Sequence, residues 1–226
     1  MTADATTITT TAEAAETVHA PVKVSWGNPV LGMLLFITSE VMFFAGLFAA
    51  YFSIRAGYTE LINGSLVHVW PPTQFQSLLY ALPLTSESGQ LNLILPATII
   101  LVLSSFTCQF GVWAIRRDDH RGFIRAFAVT VVMGIAFLLI QLYDYSVLMH
   151  EGLTMGSTTF GTTYYTLTGF HFAHVFGGVL MLGVVVYRGM AGQFSSRHYD
   201  MVEATSLYWH FVDIVWILLF SILYLL

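Results

Sequence analysis

Five stretches of this chain are apolar for long enough to cross a lipid bilayer. They run over about 29–54, 91–115, 123–149, 160–187 and 203–226. A hydrocarbon core of ~30 Å takes about 20 helical residues, and each stretch supplies them. Backbone in lipid must satisfy its hydrogen bonds within the segment, so each stretch predicts a helix. The pattern therefore predicts an all-α, polytopic membrane bundle of five transmembrane helices over 29–226. Pro96 falls near the start of the second span, where proline is tolerated. The longest connection, 55–90, carries Asn63-Gly64, Trp70-Pro71-Pro72 and Pro83. Trp70 and Tyr80 in it suit the headgroup level as interfacial anchors, and the loop also suits a partner-binding surface. Residues 1–28 are polar, rich in Thr and Ala, and acidic at Asp4, Glu13 and Glu16. They read as a largely disordered tail, without the basic start and apolar core of a secretory signal. There is no internal repeat.

Composition agrees with the pattern. Of 226 residues 56% are hydrophobic and 9% charged, against roughly a quarter charged in soluble domains. The net charge of -5 by itself says nothing about nucleic acid, but there is no basic patch, so no nucleic-acid partner is expected. The single cysteine, Cys108, excludes an internal disulfide and reads as a small packing residue. Charge distribution adds an orientation. With five spans, Lys23, Arg116, Arg117, Arg121, Arg125, Arg188 and Arg197 fall on one side and Arg55 alone on the other. Cytoplasmic flanks are enriched in Lys and Arg, which predicts a cytoplasmic N-terminus and an external C-terminus. The implied setting is a bacterial inner (cell) membrane or an organelle's equivalent.

The polar residues that interrupt the spans carry the candidate chemistry. Glu40 lies roughly 16 Å into the first helix at 1.5 Å per residue. A carboxylate there costs about 3 kcal/mol on insertion scales, so it must face protein, water or a partner, or be protonated. No charged partner for it is evident. In the third helix Gln141, Asp144 and Tyr145 share a face. The fourth carries His171 and His174, three apart, and a stripe of Gly169, Ala173 and Gly177 that suits close approach of another helix. The fifth carries Glu203, His210 and Asp213 on one face, with Trp209 and Trp216 outside it or on its edge. The spans thus hold four carboxyl groups and no Lys or Arg away from their ends. This predicts histidine–carboxylate hydrogen bonding among helices three, four and five. Three readings fit such a set: a metal or haem site, which lacks an HExxH or Glu-x-x-His pair; a proton path; and hydrogen bonds that glue helices, worth about 0.6–2 kcal/mol each.

Several motifs resemble one family. Ser39-Glu40-Val41-Met42-Phe43-Phe44 is similar to the SEV-x-FF signature of cytochrome c oxidase subunit III, and Trp70-Pro71-Pro72 to the WPP of its following loop. Gln141 to Tyr145 resembles Q-x-x-E-Y, Gly156 to Phe160 resembles GST-FF, and Thr168 to Val175 resembles TGFHG-x-HV. Tyr208-Trp209-His210-Phe211-Val212-Asp213-Ile214-Val215-Trp216 is nearly YWHFVD-x-VW unchanged. The match runs over 29–226 in order. Asp144 stands for the family's Glu, Phe172 for a Gly, and Ala97-Thr98 for Asn-Thr. Full-length members have seven helices, and this chain begins at the third, so it looks like a short bacterial form. The lipid cleft beside the first pair is then lost or completed by a neighbour.

The resemblance implies a core subunit with no haem, copper or other metal and no catalytic residue of its own. The haems, the copper and the proton pump belong to subunit I and its neighbours. Implied partners are subunit I above all, subunit II, small subunits, phospholipid and a possible larger respiratory supercomplex. The complex oxidises cytochrome c and reduces O2 to water, and subunit III sustains proton uptake. The carboxyl matching Glu40 is the family's carbodiimide-reactive one, and Arg188 is expected to hold a lipid phosphate. Rival readings are the same subunit in a quinol oxidase or a nitric oxide reductase-associated homologue, a free-standing proton-conducting protein, and a metal or haem protein.

Overall fold

The computed structural model describes residues 28–62, 64–72 and 93–225. The expected N-terminal tail, Lys23, Tyr80 and Pro83 lie outside the described residues. Five helices are long and apolar enough to cross a membrane: α1 (Asn28–Gly57), α2 (Ile94–Arg116), α3 (His120–His150), α4 (Thr159–Met190) and α5 (Asp200–Phe220), which runs on into a π-helical turn at Ser221–Leu225. A two-stranded antiparallel hairpin, β1 (Glu60–Ile62) and β2 (Ser65–Val67), follows α1 in the register Glu60↔Val67, with Gly64 in its turn at φ 82°. The helices outrun the apolar runs because polar residues can fill the first and last turns. Thus α3 and α5 begin at His120 and Asp200, ahead of the expected 123 and 203.

Side-chain caps set two of the starts. Asp119 accepts from the Gly122 amide at 2.9 Å to open α3, and Thr158 accepts from Gly161 at 3.0 Å to open α4. The α2–α3 turn passes through Asp118 at φ 57°, a left-handed conformation that a short polar side chain tolerates. Its carboxylate accepts from the Ser196 amide and hydroxyl at 3.1 and 2.9 Å, and His120 Nε2 meets the Gly189 carbonyl at 2.9 Å. The α2–α3 and α4–α5 connections, with Arg116, Arg117, Arg121, Arg188 and Arg197, therefore lie at one end of the bundle.

Helix α2 packs on α3, α3 on α4, α4 on α5, and α5 closes on both α2 and α1. Helix α1 meets α5 broadly and α4 only lightly. The core centres on two fully buried rings of α5, Trp209 and Trp216. Each indole N–H finds an acceptor on α2: Trp209 donates to Ser104 Oγ at 2.9 Å and Trp216 to Thr98 Oγ1 at 3.0 Å. Both hydroxyls in turn donate to carbonyls of their own helix, Leu101 and Ile94. Cys108 is buried beside Ser206.

One expectation changes. A Cβ at Gly169 would meet nothing within 4 Å, and one at Gly177 only Tyr208 Oη at 3.7 Å. The close approach is at Gly178 and Gly134, where a Cβ would lie 2.8 Å from Trp209 Cε3 and Cη2 respectively. One residue turns a helix by about 100°, so Gly178 faces the core and its neighbour Gly177 does not. Trp70 is fastened at the ends of α1 and α4. Its N–H donates to Tyr51 Oη at 2.8 Å and its ring packs edge-on against Tyr51, Tyr58 and Phe160, tying the loop to the bundle.

These seats predict opposite signs for one chemical change. Gly183→Ala, with open space around its Cβ, should be neutral or stabilising by up to about 1 kcal/mol, the helix-propensity difference. Gly178→Ala should destabilise by about 1–3 kcal/mol, because Trp209 must move. Thermal unfolding of the two variants in detergent checks this.

Candidate functional site

Helix α1 carries Glu40 near mid-span, on the side turned to α4. Its Oε2 lies 3.0 Å from His174 Nε2, with both side chains only 18% and 16% exposed. His174 Nδ1 lies 2.7 Å from the carbonyl of Phe170, one turn back. A carbonyl only accepts, so Nδ1 carries a proton. The Nε2–Oε2 contact then needs one more proton, held by the acid or by the imidazole. Either way the pair is neutral overall, which removes most of the cost of placing a carboxylate at that depth. Phe43 and Phe44 flank the imidazole, and Tyr208 of α5 donates to the His174 carbonyl at 3.1 Å. Glu40 does have a partner, contrary to expectation, and it comes from a helix 134 residues further on.

The expected histidine–carboxylate network of α3, α4 and α5 is divided into separate groups. His171 and His174 do not act together. Their three-residue spacing turns them about 60° apart on the helix, enough to send His174 to α1 and His171 into the core. His171 stacks on Trp216 with centroids 4.9 Å apart and 28° between planes. Neither its ring nitrogens nor the amide of buried Gln141 has a hydrogen-bond partner among the described residues. Asp144 accepts from Tyr164 Oη at 3.2 Å, and Tyr164 in turn meets Tyr224 Oη. Tyr145 donates to Thr168 at 2.8 Å. On the α2–α5 side, His210 and Asp213 do not touch directly but share Ser105, which lies 3.0 Å from His210 Nδ1 and donates to Asp213 Oδ2. Gln109 Oε1 faces His210 Nε2 at 3.3 Å. Glu203 stands apart from these groups. It stands in the first turn of α5 and pairs with Arg116 at 2.8 Å, half-exposed. Such a pair contributes at most about 1 kcal/mol.

Ser105, Gln109, Tyr164 and Tyr224 are the participants that the sequence reasoning missed. Ser105 and Tyr164 sit among other hydroxyl-bearing residues, and Gln109 and Tyr224 have apolar residues following them, so no local pattern singles any of them out. Arg188 turns onto the α4–α5 connection, donating through Nε to Gln193 Oε1 at 2.7 Å and packing on the Phe194 ring. Among the described residues no group of three or more His, Cys, Asp or Glu side chains is placed to hold a metal ion. A cavity of about 590 Å³ opens between the C-terminal half of α1 and the start of α4, lined by Leu47, Ala50, Ile54, Thr159, Thr163 and Leu167 among others.

Comparison with known proteins bears on this arrangement. The family model for cytochrome c oxidase subunit III matches residues 9–226. The chain is 40% identical over 196 residues to a probable cytochrome c oxidase subunit 3 of Nocardia farcinica, covering 86% of both chains. It is 40% identical over 195 residues to the cytochrome c oxidase subunit 3 of Corynebacterium diphtheriae, again covering 86% of both. To that of Thermostichus vulcanus it is 36% identical over 200 residues, covering 87% of both. With five membrane-length helices and matches of this extent, the chain belongs to the cytochrome c oxidase subunit III family, a component of a haem-copper oxidase.

Proposed function

We propose that this chain is the accessory subunit of a proton-pumping oxidase that oxidises a cytochrome c and reduces O2 to water, and that its own contribution is to hold a proton at mid-bilayer. The observation that carries the reading is the Glu40–His174 pair. With Nδ1 committed to a carbonyl, the pair binds one proton between an acid and a base. Releasing it leaves two lone pairs facing each other, or a carboxylate in an apolar site, so a path to an acceptor is needed. A proton held there is one a neighbouring catalytic subunit can draw on. The haems and copper then reside in partner subunits, subunit I and its neighbours, and no step of the redox chemistry is performed by a residue of this chain.

The same reading puts the arginine-rich end on the cytoplasmic side of a bacterial cell membrane, because Arg116, Arg117, Arg121, Arg188 and Arg197 gather there, against one arginine, Arg55, at the other end among the described residues. Arg188, with donors left over after Gln193, suits a phospholipid phosphate of that leaflet.

Three measurements test this. Glu40→Gln should leave the subunit in the purified complex, since an amide N–H can replace the acid proton towards His174, while proton uptake and steady-state turnover fall severalfold. Unchanged uptake would remove the proton role. Arg188→Leu should lower the phospholipid phosphate retained by the purified complex, and an unchanged lipid content would reject that assignment. A cysteine at Ser196 should react with a membrane-impermeant thiol reagent only from the cytoplasmic side, and one at Leu66 only from the outside. The reverse pattern would invert the orientation.

A further inference from the structure

Hydroxyls on the outer faces of the bundle are satisfied within their own helices. Thr38 donates to Leu34, Ser146 to Tyr143, Thr166 to Thr162 and Ser221 to Ile217, all at 2.7–2.8 Å. Such groups can face acyl chains without loss. The outer stripe of α3, which includes Val132, Ile135, Leu139 and Leu142, carries no polar side chain at these exposed positions. The α2–α5 side differs. Ser105 stands eleven residues from either end of α2, roughly 16 Å from each at 1.5 Å per residue. Gln109, one turn further on, and His210, opposite it, are both partly exposed at this depth.

Proton counting shows what this cluster lacks. A chain running from a protonated Asp213 through Ser105 to Nδ1 sends Nε2–H to Gln109 Oε1 and leaves both amide N–H groups of Gln109 free. With Ser105 donating to Asp213 instead, His210 Nδ1 donates to Ser105. If the imidazole is neutral, Nε2 accepts, and Gln109 turns its amide to donate one N–H. If it is charged, Nε2 donates to Gln109 Oε1. In every case Gln109 keeps at least one amide N–H with no acceptor among the described residues. A free amide donor facing hydrocarbon costs several kcal/mol. A lipid tail cannot supply the acceptor.

Exposed apolar residues stand on either side of it. On α2 they are Leu103, Phe106, Phe110 and Trp113. On α5 His210 is followed by exposed Ile214 and Ile217 at steps of four and three. The two rows flank the polar cluster.

We propose that the groove between α2 and α5, centred on Gln109 and His210, seats a transmembrane helix of another oxidase subunit that brings a hydrogen-bond acceptor to Gln109. This rests on the chain's membership of an oxidase complex, and it names the face by which the chain is held there. The partner is recognised by that acceptor at mid-bilayer within an otherwise apolar helix.

The test uses the intact complex in native membranes. Benzoylphenylalanine is placed at Phe106 and, as a control, at Ile135 on α3. After irradiation, a covalent adduct to an oxidase subunit, identified by mass spectrometry, is expected from position 106 and not from 135. Adducts to lipid alone at position 106, or equal protein adducts at both positions, overturn the assignment. Gln109→Leu should reduce the chain recovered with the purified complex severalfold while its level in the membrane stays unchanged. Recovery at the wild-type level overturns the acceptor argument. If Gln109→Leu lowers the membrane level as well, the cross-link at position 106 decides. A wild-type chain that co-purifies with no oxidase subunit would defeat the proposed function itself. Co-purification with only lipid adducts at position 106 would defeat the groove alone.

Discussion

In hydrocarbon a polar atom has no water to turn to, and this one constraint organises the whole bundle. It makes each span a helix. It bends surface hydroxyls back onto their own carbonyls, and it drives most of the other polar side chains, though not His171 or Gln141, into hydrogen bonds between helices. Those contacts decide the arrangement. Glu40 and His174 join α1 to α4, the indoles of Trp209 and Trp216 join α5 to α2, and Asp144 with Tyr164 joins α3 to α4. Apolar burial cannot play that sorting role, because lipid tails are as apolar as the side chains they would replace.

The stretch Tyr208–Trp216 shows how a recognisable string of residues becomes a set of fastenings. Tyr208 reaches the backbone of α4 at His174, Trp209 and Trp216 reach hydroxyls on α2, and His210 and Asp213 converge on Ser105. Phe211 packs against Phe44 of α1. One helix thereby touches α1, α2 and α4 through side chains of different chemistry, each facing a different way around the axis. Replacing any of them removes a contact to a particular neighbour and leaves the others standing.

Much of the fold was legible in the sequence because length and apolarity alone specify a span. The one-ended cluster of arginines was also visible, and the structure brings the two arginine-bearing connections together through Asp118 and Ser196. The pairings were not legible. Hydropathy identifies the face of a helix but not the neighbour it meets, so Glu40 looked solitary until α4 was in place. The charge count grouped Glu203 with the acids of the spans and gave it no partner, whereas Arg116 pairs with it in the first turn of α5. The small-residue stripe was read one position off, since Gly177 and Gly178 are adjacent in sequence and face about 100° apart.

The seat of Trp209 is built from pieces made at different times. Ser104 on α2, Gly134 on α3 and Gly178 on α4 all precede α5 in the order of synthesis. The first three of the core helices can enter the membrane as neighbours in sequence, joined by short turns, and still leave an indole-shaped gap between them. Only when α5 arrives is that gap filled, so the bundle is locked by a helix the ribosome delivers after its walls. Until then Ser104 and the two glycines face lipid, and a chain stalled before α5 would carry an open groove along its core.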